Sequence, residues 1–110
     1  MAARTARRAV RDEFGACVPS STAADLELIV AELVENASKV TEVGEPVHLG
    51  VRAIGTDLLI EVTDSSELTP VRRCASELDE GGRGLLLVQE LTSLWGWHPV
   101  EGGKVVWAVL

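Results

Sequence analysis

The sequence predicts an α+β domain in which a mostly antiparallel sheet is covered by helices on one face. Three observations carry that prediction. Apolar residues recur at helical or strand spacing in the order helix, helix, strand, strand, loop, helix, strand, strand. The strands come in hairpin-like pairs and do not alternate with helices, which argues against a doubly wound parallel sheet. The chain has 110 residues, 46% of them hydrophobic and 25% charged, which is one ordinary domain able to bury a core without staples. Residues 1–110 read as that single domain, with no internal repeat, linker or low-complexity segment.

Residues 2–14 predict a short helix, rich in Ala and Arg and stopped by Gly15. Arg4, Arg7, Arg8 and Arg11 share one of its faces, while Ala6, Val10 and Phe14 lie on another. The arginine face reads either as a solvated surface or as a docking stripe for an acidic partner or a ligand phosphate. Cys17-Val-Pro-Ser-Ser is a connector, and Thr22 with Asp25 resembles a capping box. It opens a long helix, about 23–40, whose core face is Leu26, Ile29, Val30, Leu33, Val34 and Ala37.

A turn-rich break at 41–46 leads into strands at 47–53 and 58–63, joined by Ile54-Gly55-Thr56-Asp57. From Asp64 to Arg83 the pattern dissolves into Ser, Pro, Gly and an acidic cluster, a composition expected of a mobile lid. A second amphipathic helix is predicted at 84–95, with Leu87, Val88, Leu91, Leu94 and Trp95 on one side. Strands at 97–100 and 104–109, turned by Glu101-Gly102-Gly103, finish the chain.

Composition narrows the function. The net charge is −7, which argues against nucleic acid as a direct partner, because that affinity rests on cationic surface. The longest uninterrupted apolar run is the last six residues, far short of the about 20 needed for a membrane span. Arg-rich residues at the start have no apolar segment behind them, so no signal peptide is expected. Cys17 and Cys74 form no CxxC, and His48 and His98 are scattered, so a reducing cytoplasmic location is expected and neither a disulfide framework nor a zinc site. Walker, GxGxxG, GxSxG and HExxH motifs are absent.

One constellation carries chemistry. Glu32 and Asn36 are one helical turn apart, about 40° around the axis, at the edge of the apolar stripe. An Asn oxygen and a phosphate can share a Mg²⁺, and a Glu can orient or deprotonate a nucleophile; on a helix flank both residue types are also commonly just solvated. Asp64, at a strand end, can accept from an exocyclic amine such as that of adenine, or simply initiate a turn. Gly81-Gly82-Arg83-Gly84 can let backbone N–H groups approach an anion at a helix start, or form a flexible loop.

Together and in this order these segments resemble the GHKL ATPase superfamily. Glu32-Leu33-Val34-Glu35-Asn36-Ala37 resembles the N-box, Asp64 the G1-box aspartate, and Gly82-Arg83-Gly84-Leu85 the G2-box. Gly103-Lys104-Val105-Val106-Trp107 resembles the terminal strand, and the branch most similar is the stand-alone, actinobacterial type of anti-sigma factor serine kinase. The resemblance implies a two-layer α/β sandwich of Bergerat type, its sheet mixed but mostly antiparallel. It implies ATP and Mg²⁺ as cofactors, with Mg²⁺ on Asn36 and Glu32 as catalytic base or orienting group. Asp64 would read the adenine amine, Gly82, Arg83, Gly84 and Leu85 would hold phosphates, and residues 65–81 would be the lid. The implied partners are an anti-sigma factor antagonist protein, a sigma factor, or both, and a homodimer is compatible with the family.

The G1 region departs from the family pattern. Asp64 is followed by Ser65-Ser66-Glu67-Leu68, with no glycine to let the backbone approach a nucleotide and with an added negative charge at Glu67. That departure supports a rival reading, a non-catalytic protein-interaction module with a degenerate nucleotide site. A third, weaker reading is a shortened histidine-kinase catalytic domain.

Overall fold

In the computed structural model the described residues are 2–41, 44–66 and 80–110, the side chains of 80–85 excepted. The elements follow the predicted order: α1 (Ala3–Phe14), α2 (Ser20–Val40), β1 (His48–Ile54), β2 (Asp57–Asp64), α3 (Glu80–Leu91), β3 (Leu94–Val100) and β4 (Gly103–Val109). The sheet order is β1-β2-β4-β3, and every described pairing is antiparallel. The parallel component allowed for by the expectation of a mixed sheet is not found among the described strands.

α2 is the spine of the core. All six residues of its predicted stripe are buried, from Val30 and Val34 at 0% exposure to Ala37 at 3%. They pack over Leu58, Ile60 and Val62 of β2 and Val106 and Ala108 of β4, the alternate residues that strand pleating turns to one face. Burying a Leu, Ile or Val side chain contributes about 1.5–3 kcal/mol, so this stripe holds helix and sheet together. α1 adds Ala6 and Val10 to the same core. Its Arg11 leaves the arginine face to bond α2, with Nη2 2.7 Å from Glu27 Oε1 and Nε 3.2 Å from Oε2.

Three boundaries differ from the sequence expectation. α2 starts at Ser20, after Pro19, and no side chain caps it; Thr22 lies inside the first turn, and the capping box does not form. Pro19 serves because its missing N–H is not needed there, while its carbonyl accepts from Ala23 N at 2.9 Å. α3 runs from Glu80 to Leu91 and not from 84 to 95, so Gly82 and Gly84 belong to the helix, not to a loop before it. Leu94 and Trp95, expected on the helix face, open β3 instead. The helix ends because Thr92 turns both its N–H and its hydroxyl onto the Val88 carbonyl, and Ser93 then pairs with Val109 of β4.

The hairpins close as their turn residues dictate. Gly55 and Gly102 take φ of 61° and 81°, the left-handed backbone that a tight turn needs and that side chains resist.

Candidate functional site

α2 and β2 run side by side in the same direction, anchored at both ends. Thr22 of α2 and Leu58 of β2 line one groove. At the other end Glu45 and Pro46, just after α2, line a second groove with Thr63 and Asp64. Asn36 lies fourteen residues beyond Thr22, about 21 Å along a helix, and Asp64 lies six beyond Leu58, about 20 Å along a strand. By this arithmetic Asn36 falls toward the same end of the fold as Asp64, with Glu32 one helical turn before it, although neither residue lines the groove beside Asp64.

Asn36 is buried, at 6% exposure, and its Nδ2 has no hydrogen-bond partner among the described residues. A buried amide left unpaired costs stability, so a hydrogen-bond partner beyond the described residues is expected for it. Glu32 is half-buried, and its carboxyl is held above the ordinary value of 4.5, first by burial and then by the neighbouring charge of Glu35, with Lys39 acting in the opposite sense. Raised basicity is what a group that accepts a proton in a reaction requires.

Asp64 is placed differently from the expectation. Its side chain points to the core face of the sheet and is 1% exposed. Oδ1 accepts from Lys104 Nζ at 3.0 Å and from the Ser66 backbone N–H at 2.8 Å. Lys104 stands directly opposite in the β2–β4 ladder, and its side chain is 2% exposed. Gly103 makes the pairing this close: a Cβ there would collide with the Asp64 carbonyl oxygen. Sequence reasoning noted Lys104 only as part of the terminal-strand motif. The signal was its strand parity, which it shares with buried Val106 and Ala108.

Gly82, Arg83, Gly84 and Leu85 lie within α3, and their side chains lie outside the described residues. Most of the segment expected to be a lid, residues 67–79, also lies outside them. The groove beside the Asp64 backbone is about 200 Å³, below the ~300–1,000 Å³ of ordinary ligand pockets. A larger groove of about 570 Å³ lies at the other end of β2, among Phe14, Cys17, Thr22 and Leu58, away from every predicted site residue.

The whole chain, residues 1–110, matches the histidine kinase-like ATPase domain. It belongs to that family. This histidine kinase-like ATPase domain is also similar to the solved structure of full-length ShkA in complex with AMPPNP, at TM-score 0.61 and 26% identity over 77% of the chain. It spans about a fifth of the ShkA chain, 21%. The mycobacterial sensor histidine kinase MprB shares the fold, at TM-score 0.62 and 19% identity over 80% of this chain and 70% of that one. No curated protein matches. Among the described residues no helix is long and apolar enough to cross a membrane.

The family binds ATP, and the residues of this ATPase domain fit that ligand unequally. Asn36 fits: its amide is buried and partly unpaired among the described residues, and a flip of the amide presents either a donor or an oxygen. Asp64 does not fit as it stands, because its side chain is all but fully buried and Lys104 already holds the oxygen Oδ1.

Proposed function

We propose that the chain is an ATP-binding regulator of the anti-sigma type, a protein serine kinase that acts on an anti-sigma factor antagonist. The observation that carries this reading is the unpaired, buried amide of Asn36 on the same flank of α2 as a carboxylate of raised basicity, Glu32. Bound ATP would supply the γ-phosphoryl group, and Asn36 is the residue that would hold its Mg²⁺. Glu32 would orient the seryl hydroxyl of the antagonist and take its proton, since a carboxylate raised toward neutrality is the better base. Phosphoryl transfer asks mainly for positioning and charge neutralisation, and a chain already at −7 makes a cation the more necessary. The sigma factor is the second partner in this reading, bound when the antagonist is not.

The test is phosphorylation of a cognate antagonist in the presence of ATP and Mg²⁺. Glu32→Gln keeps ATP binding and loses transfer; Asn36→Ala loses Mg²⁺-dependent affinity in calorimetry. Thermal unfolding gives an independent check, since ATP-Mg²⁺ at ~100 Kd should add about 2.7 kcal/mol of stability. Undiminished transfer by Glu32→Gln removes the carboxylate from the mechanism.

The Asp64–Lys104 pair favours a second reading, a non-catalytic interaction module. On that reading partner capture is the same with and without ATP-Mg²⁺, and no phosphoserine forms.

A further inference from the structure

The carboxylate that the family resemblance assigns to the nucleotide base is bound from inside the protein. Lys104 Nζ is a donor 3.0 Å from Asp64 Oδ1, and the Ser66 N–H is a second donor 2.8 Å from the same oxygen. An exocyclic amine of a purine is also a donor, but the carboxylate it would meet is bonded at Oδ1 and, at 1% side-chain exposure, covered at its other oxygen, so the amine can enter only by displacing the ammonium. The competition is unequal. A charged donor bonds a carboxylate more strongly than a neutral amine does, and this one belongs to the chain, so no association entropy opposes it.

The surroundings keep the ammonium in place. Asp64 and Lys104 are register partners on adjacent strands, so their Cα positions are fixed by the ladder. Both side chains are all but fully buried, at 1% and 2% exposure, which makes separation costly to each. Gly103 draws the start of β4 against the Asp64 carbonyl, at a distance that any side chain would forbid. The Ser66 N–H folds the chain back over the carboxylate immediately after β2.

We propose that Lys104 closes Asp64 to the nucleotide base, so that this chain does not select adenine and holds nucleotide only through contacts to the phosphates, sugar and metal. Lys104 is thus a specificity-determining residue, acting by occupying the acceptor that base recognition needs. The inference rests on the ATP-binding reading above for the location of the base, and on the ion pair for the closure.

The probe is ATP against inosine triphosphate, which differs where the purine amine becomes a carbonyl. By calorimetry with Mg²⁺, the unaltered chain binds the two within about threefold of each other, because no group reads the difference. Lys104→Thr, which removes the ammonium and leaves Asp64, binds ATP about tenfold or more tighter than the inosine nucleotide, the discrimination expected when a built acceptor meets its donor. Circular dichroism establishes that the variant is folded, and Lys104→Gln, shorter and uncharged, replaces it where it is not. The proposal is overturned if the unaltered chain prefers ATP about tenfold and Asp64→Asn abolishes that preference. It is equally overturned if a folded Lys104 variant gains no preference for ATP. Failure of the kinase reading looks different. A Lys104 variant that gains ATP selectivity while no antagonist is phosphorylated keeps the closure and loses the kinase, whereas a selective unaltered chain keeps ATP recognition and loses the closure.

Discussion

Among the described residues, two of the ion pairs that join one element to another differ most in burial, and the shorter one matters less. Arg11 and Glu27 tie α1 to α2 at 2.7 Å, with side chains 59% and 21% exposed. Lys104 and Asp64 tie β4 to β2 at 3.0 Å, with side chains 2% and 1% exposed. In water the attraction is screened and the unpaired state is well solvated, so the surface pair adds little. Under the helices the unpaired state has no solvent, so each partner depends on the other. Burial, not length, decides how firmly a pair is committed. The consequence reaches function: the partly exposed carboxylate of Glu27 keeps access to water, whereas Asp64 is held where the resemblance to nucleotide-binding relatives calls for a free acceptor.

The largest expected effect lies in breaking the buried pair on one side. Lys104→Met keeps the volume but leaves a buried carboxylate alone, and should cost about 3–5 kcal/mol in urea unfolding at neutral pH. Adding Asp64→Asn to Lys104→Met removes the orphaned charge and should recover much of that loss. A single substitution no costlier than a surface change would erase the distinction between the two pairs.

Next in size is the backbone approach that sets the buried pair. Gly103→Ala drives a methyl group into the Asp64 carbonyl oxygen, so β4 must move away from β2 at that end. The expected cost is about 1–3 kcal/mol, the usual range for overpacking. Gly96 offers a control in the same sheet, because its added Cβ would meet the Trp107 ring at 2.7 Å, a side chain instead of backbone. Gly96→Ala should therefore be the milder change, since a ring can shift where a paired strand cannot. Thermal unfolding of both variants checks the order.

How much of this was legible beforehand follows from which interactions are local. The α2 stripe was legible because helical periodicity alone placed Leu26 to Ala37 on one face, and all six are buried. The hairpins were legible because Gly55 and Gly102 mark their own turns. The end of α3 was not, since Leu94 and Trp95 satisfy a helical period as readily as a strand. What decided between them was Ser93 pairing with Val109, sixteen residues away. The candidate site divides the same way. Glu32 and Asn36 were found because four residues on a helix is a local fact. Lys104 was not recognised as Asp64's partner because the two are forty residues apart, and their register depends on a pairing that crosses α3 and β3. The first turn of α2 shows a subtler limit. Thr22 and Asp25 make an acceptable capping pattern, yet the helix extends back to Pro19, which needs no N–H.

A smaller effect tests the intermediate environment between the two pairs. Glu32 is half-buried and its carboxyl is raised above 4.5, chiefly by burial. The folded chain therefore favours the protonated form more than the unfolded chain does. Below pH 4.5 both states are protonated and nothing is lost; as pH rises through the folded value, the folded state carries a charge it tolerates less well. Glu32→Gln should thus stabilise the domain at pH 7, by under about 1 kcal/mol given the partial exposure, and the gain should vanish in acid. Melting temperatures measured from pH 4 to pH 8 for both chains check the sign, and a destabilised variant at pH 7 would mean that the carboxylate has a partner worth more than its burial costs.

The smallest effect belongs to the surface pair. Arg11 raises the charge preference of Glu27 through a two-point hydrogen bond, holding that carboxyl below its ordinary value of 4.5. A depressed carboxyl contributes its stability above its unfolded value and loses it as pH falls through the folded one. Arg11→Ala should therefore leave the melting temperature near that of the parent at about 0.15 M salt, where the Debye length is ~8 Å. Its cost should grow at about 0.01 M salt, where screening reaches only over ~30 Å, and disappear in acid once Glu27 is protonated. The same salt change should leave the cost of Lys104→Met almost unaltered, because no counterions reach a pair buried at 1% and 2% exposure. If both variants respond to salt alike, the Asp64–Lys104 pair is open to solvent in the working protein, and the carboxylate is within reach of a nucleotide base after all.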